Sequence, residues 1–208
     1  MERKLESGGH GTARRLVKGF RHQKSFRDWL EKNHPKSDGI WIRFYKKGCG
    51  KKTITRAEAL EEALCFGWID GQLDRFDDQS WVQRFTPRRS KSGWSKINTQ
   101  HAQRLIEAGK ITDAGMNEVE AAKADGRWNA AYASPRDAYP PEDFLQELNK
   151  NKKAKDFFET LNRANVYAIV YRLQTAKKPE TRTRRMKLIL AMMDQGQTFH
   201  PSRKIADL

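Results

Sequence analysis

Hydrophobic positions early in the chain recur first at helical spacing and then in a short continuous run. The apolar stripe that follows Ser25 predicts a first helix of about ten residues, with Ser25 as its N-cap. The β-branched and aromatic run at 40–45 predicts a strand. Thr55 and Glu58 form a capping-box pattern before a second apolar stripe, which predicts a helix that ends at Gly67.

After Gly67 the hydrophobic period changes to two, which is the period of a strand. The segment 81–85 follows a turn and predicts a returning strand, so a hairpin joins the 40–45 strand in an antiparallel sheet of about three strands. The alternation over 68–75 predicts that one face of its strand carries Trp68, Asp70, Gln72 and Asp74.

The second half of the chain carries helical patterns without a further strand signal. Ser92 or Ser95 is the predicted start of one helix and Thr112 the start of another. A segment rich in Pro, Ala and Tyr, 130–141, predicts a connecting loop, and apolar stripes beyond it predict an all-helical C-terminal portion. The predicted class is therefore α+β, a small sheet packed with helices and followed by helices alone.

Composition and charge exclude several classes of protein. The 208 residues carry a formal net charge of +15 and only two cysteines, Cys49 and Cys65, which excludes a disulfide framework. No apolar run reaches the roughly 20 residues that a membrane span needs, and the first residues lack the apolar core of a secretory signal. We therefore expect a cytoplasmic protein without membrane insertion.

Basic residues are clustered rather than spread evenly. Residues 1–36 carry 10 basic and 4 acidic side chains, 80–110 carry 7 and 1, and 151–208 carry 13 and 5. Such a field attracts polyanions and small anionic ligands, although a lysine-rich surface can also serve solubility alone. Nucleotide-binding and nucleophile-elbow motifs are absent, and the histidines lack metal-ligand spacing, so we expect neither a cofactor nor a metal.

One dense polar stretch remains, ALCFGWIDGQ at 63–72 followed by FTPRRSKSGWSKIN at 85–98. Hairpin geometry would bring Asp70 close to a turn that opens a helix, and such a helix start with arginines and hydroxyls can bind an anion. The structural alternative is an ion pair of Asp70 with Arg84 or Arg88. The candidate side chains of the turn are Arg88, Ser92, Trp94, Ser95 and Asn98.

These motifs, together with AAKADGRW at 121–128 and PETRTRR at 179–185, resemble the YdeI/OmpD-associated family, also called the bacteriocin-protection family. The resemblance covers about 20–196 and implies one α+β domain, preceded by a flexible extension at 1–19 and followed by a tail at 197–208. It also implies a link with envelope stress and antimicrobial-peptide resistance, but no established reaction. Its motifs match Trp68, Asp70 and Gly71, then the five candidate residues of the turn, and finally Glu180, Thr181 and Arg182.

Three classes of function remain open. The favoured one is a binding domain in which Trp68 and Trp94 wall a cleft and the Arg, Ser and Asn side chains hold a small anionic ligand or an acidic partner. An enzyme would use Asp70 as general acid or base, and a nucleic-acid-binding protein would use its basic surface. Because a protein at +15 repels polycations, we predict that any protection against cationic peptides is indirect. Oligomeric state is not predicted.

Overall fold

The computed structural model describes residues 16–201, and the chain divides into two compact units. Unit 1 comprises residues 16–92 and 101–124 of the described chain, and unit 2 comprises residues 93–100 and 125–201. Residues 1–15 of the predicted extension and 202–208 of the predicted tail lie outside the described residues.

Unit 1 contains a four-stranded sheet. Its strands are β1 (Val17–Lys18), β2 (Ile40–Tyr45), β3 (Trp68–Arg75) and β4 (Ser80–Pro87), in the order β1-β2-β4-β3. The antiparallel pairing of β4 with β2 and β3 agrees with the predicted hairpin and third strand. The strand count differs from the predicted three because β1 pairs in parallel with β2 at the edge.

The helices of unit 1 agree with the apolar stripes of the sequence, except that α1 begins earlier than predicted. They are α1 (Gln23–Asn33), α2 (Arg56–Cys65), the later part of α3 (Lys96–Glu107) and α4 (Asp113–Ala124). The predicted capping box at the start of α2 is present. Ser25 is not the N-cap of α1; that position is His22, because the helix begins one turn earlier and the Ser25 hydroxyl donates to the His22 carbonyl.

One face of the sheet supplies the core of unit 1. Ile40, Ile42 and Phe44 of β2 share this face with Phe85 of β4 and are almost fully buried. The ring of Phe26 in α1 meets that of Phe85 edge-on, with centroids 5.9 Å apart. Alternation along β2 therefore sends every second side chain against the helices, as expected of a half-covered sheet.

Strand β3 does not keep the alternation predicted for it. Asp70 lies opposite Phe85 but Leu73 lies opposite Gln83, so β3 has one residue more than β4 over this interval. Such a β-bulge reverses the side-chain phase beyond it. Gln72 and Asp74 were therefore wrongly predicted to share the face of Trp68 and Asp70, and Leu73 takes that face instead.

Helices α2 and α4 approach each other closely at two glycines. A Cβ on Gly115 of α4 would lie 2.3 Å from the Cys65 carbonyl oxygen, and one on Gly67 would lie 2.8 Å from the Ala114 carbonyl oxygen. Gly67 also has φ of +71°, a left-handed conformation that ends α2 and turns the chain into β3. The helix stop read from Gly67 is thus also a packing contact.

Unit 2 is helical after its first residues, as predicted. It contains α5 (Glu142–Leu148), α6 (Lys152–Glu159), α7 (Arg163–Gln174) and α8 (Pro179–Asp194). The side chains of Asn151 and Asn162 cap α6 and α7 by accepting from backbone N–H groups. The buried cluster between these helices consists of Phe144, Leu148, Ala154, Ile169, Leu173, Ile189 and Met193. The α+β class is confirmed.

Candidate functional site

Asp70 lies at the bulge of β3, where its carboxylate meets two donors. It forms an ion pair with Arg56 at the first turn of α2 and accepts a hydrogen bond from the Gln83 amide at 3.0 Å. The Arg56 Nε also donates to the Gln83 side-chain oxygen at 3.1 Å, so the three side chains form a closed triangle. The Asp70 side chain is 14% exposed and that of Arg56 is 53% exposed. The Arg56 guanidinium is therefore held by two partners while about half of the whole side chain faces solvent.

The sequence suggests Arg84 or Arg88 as the partner of Asp70, whereas the structure pairs Asp70 with Arg56 and Gln83. Arg56 precedes Asp70 by 14 residues and lies on a different element, so no spacing rule joins them. Gln83 sits inside a run read only as a returning strand. The one signal in the sequence was a polar residue at a position that shares a strand face with Phe85. In the structure Gln83 is 3% exposed.

The remaining predicted residues of unit 1 are largely buried. Trp68 is 1% exposed, and its ring meets that of Trp29 edge-on with centroids 5.9 Å apart. Arg88 is 6% exposed and follows β4, where its backbone N–H donates to the Gly67 carbonyl at 2.9 Å. The Ser92 N–H donates to the Arg89 carbonyl, which closes the turn.

Six predicted residues belong to unit 2, in two separate places. In the first, Trp94 is 2% exposed and its ring centroid lies 5.1 Å from that of Trp128. The Ser95 hydroxyl accepts from the Asn98 N–H at 3.2 Å, which caps the start of α3 as the sequence predicted for Ser95. The Tyr132 N–H donates to the Trp94 carbonyl, so this segment pairs with the loop that follows Trp128.

The second place is the first turn of α8. Arg182 grips Asp143 of α5 with both terminal nitrogens, and this contact holds the pKa of Asp143 below its usual value. Glu180 is exposed and Thr181 is half-buried. Arg182 thus has a partner within its own unit.

A buried carboxylate in unit 1 was not anticipated. Glu62 of α2 is 6% exposed and accepts from the Gln23 amide at 2.8 Å and from Arg27 at 3.0 Å. Arg27 also contacts Cys65, whose pKa burial raises to about 11. Because both oxygens of Glu62 are bonded to donors on α1, this group joins two helices and has a structural role.

An open depression lies beside α1. Its volume is about 610 Å³, within the usual range for small-molecule sites. Phe20 and Trp29 line its aromatic part, and Trp29 is fixed because its ring stacks on Phe26 at 6.2 Å and meets Trp68 edge-on. The basic side chains of its lining are Lys18, Arg21, His22 and Lys32.

Acidic groups close to this depression are paired within α1. Asp28 lines the depression and pairs with Lys24 at 2.8 Å, and Glu31 pairs with Arg27 at 3.5 Å. Arg21 and Lys32 are exposed. The local field is therefore positive, which favours an anion beside an aromatic surface. The excess of basic residues over 1–36 was the sequence signal for it.

Among the described residues, no three His, Cys, Asp or Glu side chains come together in a way that could hold a metal ion. None of the helices in residues 16–201 is long and apolar enough to cross a membrane.

The fold and these sites define a basic α+β protein with a sheet-containing first unit and a helical second unit. Residues 137–196 match the family described as Bacteriocin-protection, YdeI or OmpD-Associated. This match confirms the predicted resemblance for the helical part of the chain. Residues 18–118 match a different family model, described as Domain of unknown function (DUF8412).

The two matches divide the motifs of the sequence. The WIDG motif and the turn at 85–98 lie within the first match, PETRTRR lies within the second, and AAKADGRW lies between them. No curated protein and no solved structure matches the chain. The single domain over 20–196 stays a prediction.

Proposed function

We propose that this protein binds a small anionic ligand with a flat ring, in the depression beside α1. The observation that carries the proposal is the fixed, partly accessible ring of Trp29 with exposed Arg21 and Lys32 on the same depression. An aromatic face stabilises the ring of a ligand by stacking, while arginine and lysine stabilise its negative charge. The sequence also predicted a site with an aromatic surface and positive side chains, but it assigned these features to other residues.

The predicted cleft remains a separate proposal. The residues predicted for it are Trp68 and Arg88, which belong to unit 1, and Trp94, Ser95, Asn98 and Arg182, which belong to unit 2. The burial of both tryptophans favours core packing over a role as cleft walls. The α1 depression is therefore the better supported site.

Cellular context follows as part of the proposal. We propose a cytoplasmic protein whose link to envelope stress and peptide resistance is indirect, through the ligand that it binds. A net charge of +15 opposes direct capture of cationic peptides at long range. Tight binding of a polycationic peptide to the purified protein at physiological salt would contradict this view.

Calorimetry with three probes tests the binding site. Adenosine monophosphate carries a ring and an anion, adenosine carries the ring alone, and inorganic phosphate carries the anion alone. We expect the first to bind more tightly than either of the others, and Arg21→Gln with Lys32→Gln to weaken it about tenfold or more. Trp29→Phe should weaken the binding of adenosine monophosphate and of adenosine, but not the binding of phosphate.

A matched control separates the site from net charge. Arg89→Gln with Lys91→Gln removes the same two charges from exposed positions of unit 1 outside the depression. We expect this variant to bind within about twofold of the parent protein. Equal weakening by both double variants, or no binding of any probe, would overturn the proposal.

A further inference from the structure

A second cluster of positive charge in unit 1 lies outside the α1 depression, in the connection between β2 and α2. Residues 46–52 read KKGCGKK and are called the lysine loop here. Its four lysines are exposed, and no acidic residue occurs between Asp38 and Glu58. Four like charges within seven residues repel one another, so a bound polyanion would relieve the repulsion.

The side chains of the lysine loop are not engaged by acidic partners. Among the described residues, none of its lysines forms an ion pair or a side-chain hydrogen bond. Lys51 instead lies over the ring of Tyr45, with its Nζ 5.1 Å from the ring centroid. The ring of Tyr45 also faces Arg43 at 4.7 Å, so the tyrosine is flanked by two cations. The loop thus keeps its charges available while one of them is positioned by an aromatic ring.

The backbone of the loop is open as well. Gly48 and Gly50 have positive φ values of +87° and +73°, and a Cβ at either position would meet no atom within 4 Å. The glycines are therefore required by the conformation of the loop and not by packing of a neighbour. A loop without side chains at these two positions lets a ligand approach the backbone N–H groups closely.

We propose that the lysine loop binds the phosphodiester backbone of nucleic acid. The loop forms a turn in which the Cys49 N–H donates to the Lys46 carbonyl at 3.4 Å, so its four lysines lie in one short segment and can contact neighbouring phosphates of one duplex. An anionic membrane surface is the less suitable partner, because the loop consists of Lys, Gly and Cys and offers no large apolar side chain for insertion. Binding of this kind is independent of base sequence and strongly dependent on salt.

The test measures binding of the full chain to a labelled DNA duplex of about 20 base pairs, by fluorescence anisotropy between about 50 and 200 mM salt. The loop variant replaces all four loop lysines with glutamine. We expect the logarithmic salt slope to fall by about 3 to 4, because each lysine that neutralises a phosphate contributes about 0.9. Exchanging the duplex sequence should leave the affinity nearly unchanged.

A control variant removes the same charge elsewhere. It replaces four exposed lysines of unit 2, namely Lys152, Lys153, Lys155 and Lys187, with glutamine. We expect its salt slope to change by less than about 1. Equal losses in the two variants would show binding by net charge alone and would overturn the proposal. Failure to bind the duplex, or tighter binding to anionic phospholipid vesicles than to DNA, would also overturn it.

Cys49 at the centre of the loop gives a local readout that does not depend on a variant. The other cysteine, Cys65, is buried and its pKa is raised to about 11, so it reacts slowly with thiol reagents. We expect saturating duplex to slow alkylation of Cys49 by the neutral reagent N-ethylmaleimide about tenfold. An unchanged alkylation rate with DNA fully bound would place the DNA elsewhere and contradict the proposal.

Discussion

The ion pair of Asp70 shows how a single residue can be judged from its surroundings. Its partner Arg56 is 53% exposed, and the pair also contacts the buried Gln83 amide. A partner this exposed regains water when the pair is broken, so the pair contributes less than a fully buried one. The ion pair accounts for the position of Asp70, and its role as general acid or base stays a prediction.

Asp70→Asn is expected to lower the free energy of unfolding by about 1 kcal/mol. Asparagine keeps an oxygen for the Gln83 amide, and solvent can hydrate Arg56. Leu64→Ala is the control, because Leu64 is 2% exposed and the resulting cavity should cost about 2 to 5 kcal/mol. Urea denaturation measures both variants. An Asp70→Asn loss as large as that of Leu64→Ala would mean that the ion pair is a major structural contact.

Packing of whole elements in unit 1 depends on close backbone approach as well as on apolar stripes. The α2 helix ends at Gly67, and α4 crosses it at Gly115, where helix backbone lies against helix backbone. Backbone atoms cannot rotate away as a side chain can. The position therefore tolerates no added methyl group without movement of one helix.

Gly115→Ala is expected to destabilise unit 1 by about 1 to 3 kcal/mol, even though alanine gains helix propensity over glycine. The cause is the 2.3 Å approach of the new Cβ to the Cys65 carbonyl oxygen. Gly19→Ala is the matched control, since its Cβ would meet no atom within 4 Å. Chemical denaturation compares the two. Unchanged stability of the Gly115 variant would mean that α2 and α4 are packed less closely than described.

At the scale of the whole molecule, charge determines how stability responds to pH. Three aspartates in the two units have lowered pKa values: a hydrogen bond from Ser80 lowers that of Asp77, and Arg127 and Arg182 lower those of Asp125 and Asp143. A lowered pKa means that the folded state binds these protons less readily than the unfolded state. Their contribution is present above the ordinary value of 3.8 and is lost as the pH falls below it.

Thermal melts between about pH 7 and pH 2.5 should show a melting temperature that falls below about pH 4. Arg182→Gln should lower the melting temperature at pH 7 and make its decrease below about pH 4 smaller, because the pKa of Asp143 then lies nearer its ordinary value. Glutamine is shorter and uncharged, so the variant removes both the charge and the two-point contact with Asp143. A melting temperature that rises on acidification would contradict the assignment.

Local order followed from the sequence because it depends on neighbours along the chain. The capping box at Thr55 and Glu58, the glycine stop at Gly67 and the run at 40–45 each act within one turn or one strand, and each is present in the structure. The α+β class and the helical C-terminal portion followed from the order of these elements. The family resemblance is confirmed at 137–196, the range that contains the local PETRTRR motif.

Contacts between distant segments were decided only by the tertiary structure. The pairing of Asp70 with Arg56, the bulge that places Leu73 on the strand face of Trp68 and Asp70, and the parallel edge strand at Val17 each depend on register between separate elements. The α1 depression is of the same kind, because Trp29 becomes a fixed wall only when Phe26 and Trp68 pack against it. Hydrophobic periodicity states which side of an element is buried, whereas the particular side chain that meets it is set by packing in three dimensions.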